Sequence, residues 1–318
     1  MNVSIALTTF NGAPYLKEQL DSYLAQTRIA DELVVCDDCS NDDTVPILTA
    51  FAEVAPFPVR IFRNSHNLGF IQNFEQVVSK CVGDIVFLSD QDDVWHPEKI
   101  ARVEKIFEAS SRVRLVVHDG DLADEHLVTQ GATKLNQVVR GFGSTDSHVM
   151  GALTAVHSAL VKRALPFPRI VGHDVWLHRV ASLLQARYVL PISLQTIRRH
   201  GLNTSNWVAS SIKTISRLDA WRSQYRSATA NNYEDRLVLN DCCTLAVDRI
   251  QSEDDTFGPD VFKEAQLFLA SERRALLARD ELARTSGMRQ KVLSLRLLCR
   301  GDYRFFNGYM SFFRDVSR

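Results

Sequence analysis

Three carboxylates, Asp90, Asp92 and Asp93, follow directly on the apolar run Ile85-Val86-Phe87-Leu88 and its closing Ser89. Acids this close repel one another unless something cationic joins them. A hard divalent ion is one answer, because Mg²⁺ bridges one or two carboxylates to substrate phosphates. A solvated acidic turn ahead of a helix starting near Pro97 is the other, and spacing alone leaves both open. The same arrangement, an apolar run ending in polar residues, recurs at Thr8-Thr9-Phe10-Asn11, at Asp37-Asp38 and at His200. His173-Asp174 opens a helix instead, a position where Asp also serves as a cap.

The elements that must carry these residues are legible as alternating short runs. Val3 to Thr8, Glu32 to Cys36, Val59 to Arg63 and the Ile85 run read as strands. Their near-continuous apolar character fits strands covered on both faces. Tyr15 to Gln26, Val45 to Glu53 and Phe70 to Lys80 read as the intervening helices, with Asn67-Leu68-Gly69 a turn before the third. Strands alternating with helices argue for βαβ units and a parallel sheet. In such a sheet the carboxyl ends of the strands share one edge, so residues remote in sequence converge on one cleft. The pattern loosens after Glu108, with strands at Leu115-Val116-Val117, Tyr188-Val189-Leu190 and Ser193 to Arg198, an apolar run from Ala152 to Val161, and a helix from Val175 to Leu184.

Composition excludes several classes. A net charge of −1 over 318 residues gives no global basic field for nucleic acid. No apolar stretch approaches the roughly 20 residues that cross a bilayer. The first residues already read as a strand, so no signal peptide is expected and the cytoplasm is the expected compartment. Cys36 and Cys39 form a C-x-x-C, but no second pair answers it, and six cysteines suit a reducing compartment. Neither a G-x-G-x-x-G nor a phosphate-binding G-x-x-x-x-G-K-[ST] occurs, against dinucleotide binding and against a P-loop. A nucleophile elbow and a zinc-spaced His/Cys set are missing too.

The stretches ALTTFNGAPYLKEQLDSYLAQT, ELVVCDDCSNDDT, NLGF, VFLSDQDDVWHPEKI, GHDVW and RRHGLN occur in that order. Together they resemble a family 2 glycosyltransferase of the GT-A fold, a Rossmann-like, mostly parallel α/β sheet flanked by helices. The SDQDDVW version is similar to bacterial rhamnosyltransferase-like members that build surface polysaccharides. The resemblance covers roughly the first two hundred residues, and implies a catalytic domain over 1–205, with nucleotide-sugar binding in about 1–120 and the acceptor side in about 120–205.

What the resemblance implies is an inverting, metal-dependent transfer of a sugar from a nucleotide donor to a growing glycan or lipid-linked acceptor. Rhamnose from dTDP-rhamnose comes first and UDP-hexoses second. Thr8, Thr9 and Asn11 would line the donor site, with Thr8 and Thr9 against the base. Asp37 would accept from the base imide N–H, supported by Asp38, with Asn67 nearby. Uracil and thymine share that imide, so the motif does not choose between them. Asp90 and Asp92 match the D-x-D, Asp90 nearer the ribose and Asp92 on a Mn²⁺ or Mg²⁺ ion, which Asp93 and His200 would also ligate or orient. Such an ion stabilises the charge gained by the leaving diphosphate. Asp174 matches the general base that takes the acceptor hydroxyl proton. His173 would orient it or touch the acceptor, Trp176 would pack or else stack on a sugar at the acceptor side, Gly151 lies in the segment that lines the sugar pocket, and Arg198 and Arg199 would pair with phosphate. Ala152 and Leu153 stand where relatives are expected to be more polar.

From Ser205 onward long helical segments rich in Arg, Leu and Ala take over, with a boundary placed near Asn206 and helices at Ile212 to Tyr225, Asp235 to Ile250 and Phe262 to Arg284. The tail from Met288 interleaves Arg289, Lys291, Arg296, Arg300 and Arg304 with Leu295, Leu297, Leu298, Phe305, Phe306, Tyr309, Phe312 and Phe313. It suits peripheral contact with an anionic membrane on the inner face of the plasma membrane. It equally suits packing on the catalytic domain or on another subunit. Two rivals stand beside the main reading: a non-catalytic nucleotide-sugar or glycan-binding scaffold on the same fold, and a nucleotidyltransferase. Intact acids at the motif positions speak against the first, and the missing phosphate loop against the second.

Overall fold

The structure, a computed structural model, describes residues 1–142, 144–201, 208–216, 218–219 and 233–317. The strands are β1 (Val3–Thr9), β2 (Glu32–Asp37), β3 (Val59–Arg63), β4 (Ile85–Ser89), β5 (Val94–Trp95), β6 (Leu115–Ala123), β7 (Thr129–Thr133), β8 (Thr154–His157) and β9 (Arg187–Arg198). Between them run α1 (Ala13–Leu24), α2 (Thr44–Val54), α3 (Phe70–Lys80), α4 (Lys99–Ala109), α5 (Lys134–Phe142), α6 (Ser158–Ala164) and α7 (His173–Leu183). The sheet order is β3-β2-β1-β4-β8-β6-β9-β5, with β7 paired to β6.

The half carrying β3, β2, β1 and β4 is wholly parallel. Ile5, Leu7, Leu33, Val35, Ile85 and Phe87 are fully buried there and form the core with Leu16, Leu20 and Tyr23 of α1 and Leu48 of α2. Each such side chain contributes roughly 1.5–3 kcal/mol of burial free energy, which is why these runs lose the alternating pattern. The other half is mixed. β8 runs antiparallel to both β4 and β6, β6 pairs parallel with β9, and β9 pairs antiparallel with β5. The two late strands expected around Pro191 are one strand, broken by a register shift between the Leu190 and Ser193 pairings. Pro191 sits in that shift, where its missing N–H does no harm to the ladder.

The chain divides into two compact units, Met1–Ser223 and Gln224–Arg318. The boundary expected at Asn206 and residues 217 and 220–225 of the expected helix Ile212–Tyr225 lie outside the described residues. Ile212–Ser216 are not helical, because their backbone is taken by a side chain of α5. Gln137 Nε2 donates to Ser211 O and Lys213 O at 2.9 and 2.7 Å, and Ile215 N donates to Gln137 Oε1 at 2.9 Å.

The second unit holds α8 (Tyr233–Glu253), α9 (Pro259–Ala283), α10 (Gly287–Cys299) and α11 (Tyr309–Ser317). Leu282, Leu297 and Tyr303 form its small core with Phe306 and Phe312. A buried Arg279–Asp315 pair at 3.0 Å crosses it, and Tyr303 donates to the same carboxylate at 3.1 Å. No helix among the described residues is long and apolar enough to cross a membrane.

Candidate active site

The carboxyl ends of β1, β2 and β4 meet along one edge, with Thr9 opposite Asp37 and Leu7 opposite Ser89. Asp37 has no exposed surface. Its Oδ1 accepts from Thr9 Oγ1 at 2.9 Å and from Ser40 Oγ, and its Oδ2 accepts from Ser40 N at 2.9 Å. Arg63 Nε lies 3.7 Å from Oδ2, the nearest cation to this carboxylate. Asp38 is buried beside it and holds the turn before α3, accepting from Asn64 Nδ2, Leu68 N and Gly69 N at 2.8–2.9 Å. Asn67 closes the same turn on Gly69 N at 3.0 Å, and Gly69 supplies the positive φ of 82° the turn demands. Asn11, itself at φ 49°, ties the β1–α1 loop to the β2–α2 loop through Ser40 Oγ and Asn41 N, both at 2.9 Å. Thr8 is partly buried at the end of β1.

The loop after β4 is wired to this edge by an amide. Gln91 Oε1 accepts from Phe10 N at 2.8 Å while its Nε2 donates to Phe10 O at 3.0 Å. Within the loop the acids separate. Asp92 faces His200, whose Nε2 lies 2.9 Å from Asp92 Oδ2 and whose ring stacks on Tyr15 at 4.4 Å. Burial, then the charges of Asp92 and Asp174, push Asp90 up to about 7, against the opposing pull of Lys99. Asp90, Asp92 and Asp174 therefore act in one electrostatic field, although Asp174 lies some eighty residues further along the chain.

Asp174 stands in the first turn of α7, its Oδ1 accepting from Val175 N at 2.8 Å. Two glycines make room for it. A Cβ on Gly172 would lie 2.7 Å from Asp174 Oδ1, and one on Gly151 would lie 2.7 Å from His173 Nε2. His173 is buried, stacked on Phe74 at 3.8 Å with Phe70 at its edge. Neither ring nitrogen has a hydrogen-bond partner among the described residues, and burial pushes its pKa down to about 4 against the attraction of Asp174. His173 is a neutral apolar wall behind Asp174.

Three residues expected at the site are turned to structure instead. Asp93 is not placed as a metal ligand, because β5 pairing with β9 draws it inward to 3% exposure, where it accepts from Arg198 N at 3.0 Å and from Gln195 Nε2. Arg198 is not held ready for phosphate: its guanidinium donates to Asp92 O at 2.9 Å, to Glu125 O at 2.6 Å and to Glu18, over the face of Tyr15. Trp176 offers no ring to an acceptor, being 2% exposed with its N–H on Ala164 O at 2.9 Å. Arg199 is half-buried, with Asp93 and Asp92 in its field. Gly151 opens a buried 3-10 turn through Leu153. Leu202 and Asn203, which end the last motif, lie outside the described residues.

Sequence reasoning missed two buried lysines. Lys99 Nζ donates to Gln195 Oε1 at 2.5 Å and to Ala152 O at 3.1 Å, above the Trp95 ring at 3.7 Å. The signal was a lysine sharing the apolar face of α4 with Ile100, Val103 and Phe107. Lys134 opens α5, 2% exposed, its Nζ on Ser210 Oγ at 2.5 Å. Burial and the charge of Arg199 bring it down to about 7, against Asp174. No spacing in the sequence announces it.

Among the described residues no three His, Cys, Asp or Glu side chains form a metal-binding group. The Asp92–His200 pair supplies one carboxylate and one imidazole; the carboxylate fits either Mn²⁺ or Mg²⁺ with substrate phosphates completing the shell, and the imidazole favours the transition metal.

The model described as Glycosyl transferase family 2 matches residues 4–148. An uncharacterized glycosyltransferase of Nostoc sp. is 32% identical over 137 residues, covering 42% of this chain and 42% of its own. The chain thus spans less than half the length of that curated relative. The solved structure of S. aureus TarS 1–349 in complex with UDP superposes with a TM-score of 0.53 at 14% identity, covering 95% of this chain and 80% of that one. The mannosyltransferase PcManGT from Pyrobaculum calidifontis, in complex with GDP-Man and Mn²⁺, does so with a TM-score of 0.50 at 18% identity, covering 99% and 84%. Likeness at these identities shows the fold, which is GT-A.

Proposed function

We propose that the chain, whose residues 4–148 match the model described as Glycosyl transferase family 2, is an inverting, metal-dependent glycosyltransferase. Its donor is a nucleotide sugar, first of all dTDP-rhamnose, and its acceptor a growing bacterial surface glycan, free or lipid-linked. The observation that carries the reading is His200 Nε2 at 2.9 Å from Asp92 Oδ2, in the acidic loop that follows β4 at the carboxyl edge of the sheet.

In this reading Asp174 takes the proton of the acceptor hydroxyl as that oxygen attacks the anomeric carbon from the face opposite the diphosphate. The α7 N-terminus and the glycines at positions 151 and 172 hold Asp174 in place, and the apolar side of His173 keeps water from its flank. Asp92 and His200 would hold the divalent ion, with Asp90 nearer the ribose. When bound, the ion supplies positive charge against the departing diphosphate. Asp37 Oδ2 accepts one hydrogen bond, leaving a lone pair for the imide N–H of uracil or thymine once the half-exposed Arg63 side chain moves aside. Asp38, Asn67 and Asn11 fix the loops around the base. Arg199 supplies positive charge near the phosphates.

The UDP held by TarS keeps a UDP-hexose as the second reading, and the Mn²⁺ held by PcManGT supports use of a metal. A lipid-linked acceptor would place the reaction at the cytoplasmic face of a bilayer. A thermal-shift screen of dTDP- and UDP-sugars with Mn²⁺ or Mg²⁺ tests the reading, since a bound ligand raises stability by mass action. Asp92→Ala should abolish the metal-dependent shift and transfer with the fold intact; normal turnover in that variant removes the metal assignment. Asp174→Asn should keep the donor shift and lose transfer, and retained transfer removes the base.

A further inference from the structure

The helix α10 is apolar on two sides. Its inward side carries Leu297 with the partly buried Leu293 and Leu298 on the core of the unit, beside the buried Gln290 and Ser294, and Gln290 Nε2 fastens it to the end of α11 through Asp315 O at 2.8 Å. Its exposed face carries Met288, Val292 and Leu295, with exposures of 77%, 42% and 51%, and the exposed Cys299. These positions follow the spacing i, i+4, i+7, i+11, which places all of them on one stripe of a helix. A helix in water normally shows its polar side, so an outward apolar stripe wants a partner.

The charges beside the stripe say which partner. From Ser286 to Gly301 there are four cations, Arg289, Lys291, Arg296 and Arg300, and no acid. At roughly 100° per residue, Arg289, Arg296 and Arg300 fall on one flank of the stripe and Lys291 on the other. Arg289 also meets Glu281 of α9 at 3.0 Å, an exposed pair that water screens. An apolar stripe between cationic flanks is the pattern of a helix lying in a bilayer interface, with its long basic side chains reaching back to the headgroups. A nucleic acid would leave the stripe uncovered. In the same helical unit, α11 exposes Tyr309 at 72% and Phe313 at 66%, amphipathic and aromatic rings of the kind enriched at membrane interfaces.

We propose that α10 seats the protein on an anionic lipid bilayer, lying in the plane of the headgroups through Met288, Val292, Leu295 and Cys299 and held by the four flanking cations. The proposal is independent of the donor chemistry. It is tested by floating the full chain with vesicles of phosphatidylcholine alone or containing about a third phosphatidylglycerol. The chain should float with the anionic vesicles only, and less as salt rises. Replacing the exposed stripe (Met288→Ser, Val292→Ser, Leu295→Ser) should abolish flotation while the urea unfolding midpoint stays that of the wild type. Removing charge alone (Arg296→Gln, Arg300→Gln) should weaken partitioning by roughly five-fold per cation, and serves as the second variant should the first fail to fold. Wild-type chain that stays with the soluble fraction overturns the proposal. So does flotation indifferent to both variants, or a dimer in solution that the stripe variant dissociates without any vesicle binding.

Discussion

A single methyl group on Gly151 tests whether His173 and the turn Gly151–Leu153 together position Asp174. The added Cβ of Gly151→Ala would lie 2.7 Å from His173 Nε2 and 3.7 Å from Asp174 Cβ. The first distance is about 0.7 Å short of ordinary van der Waals contact. His173 has nowhere to retreat, with Phe74 stacked at 3.8 Å on its face and Phe70 at its edge. The strain leaves by one of two routes. Either the core is overpacked, at about 1–3 kcal/mol, or the first turn of α7 moves and carries Asp174 with it. A misplacement approaching 1 Å costs up to about 10²-fold in rate. The expected result is a urea midpoint lowered by that stability loss and a transfer kcat down roughly 10–100-fold, with donor KM changed far less. Combining it with His173→Ala removes the obstacle, so the double variant should be more stable than the sum of the two single changes by at least about 1 kcal/mol. A Gly151→Ala variant with both wild-type stability and wild-type kcat, or strict additivity in that cycle, would refute the reasoning, because nothing would then link the turn to the imidazole.

Two further outcomes follow from the buried network. Gln195→Leu strips the Lys99 ammonium and the Asp93 carboxylate of their common partner, and unfolding in urea should show a loss of about 3 kcal/mol; an unchanged midpoint would mean the amide only fills space. His173 has a folded pKa near 4, below its unfolded value, so the unfolded chain binds the extra proton and stability falls as pH drops from about 6.5 toward 4, a loss of about 2 kcal/mol between pH 8 and pH 5. His173→Phe should remove that portion of the acid-side decline, and an identical pH dependence in the two proteins would show that the imidazole is protonated in the fold.

The parallel half of the sheet is readable from the chain because strands buried on both faces announce themselves as unbroken apolar runs, as Ile85 to Leu88 does. The mixed half is not. β5 has two residues, too few for any period, and β7 is Thr-Gln-Gly-Ala-Thr, which carries no apolar pattern at all. β8 is hidden in the apolar run from Ala152 to Val161, where a turn, a strand and a helix follow one another without a change of composition. At the site the acids stand out because clustered like charges are rare without a reason. The amides that arrange them do not. Gln91 and Gln195 act only through partners about eighty and about a hundred positions away, and a neutral amide has no spacing rule that points to such a partner.

That division between visible acids and silent amides separates the carboxylates by task. Asp38 is saturated by the turn it closes, and Asp93 by β9. Asp37 is nearly so, whereas Asp90 feels the charges of both Asp92 and Asp174, and the buried Asp93 feels those of Asp92 and Asp90. The burial that pulls Asp93 inward also brings Arg198 onto Asp92 O, so the loop is fixed at its backbone while the Asp92 side chain stays turned to His200. With the backbone fixed and the Asp92–His200 pair largely buried at 15% and 6% side-chain exposure, a ligand can replace that contact without rebuilding the loop. Lys99 and Gln195 lie beneath that loop and reach it through Asp93. Their substitution should therefore move stability first and donor affinity second, whereas substitution of Asp92 should do the reverse.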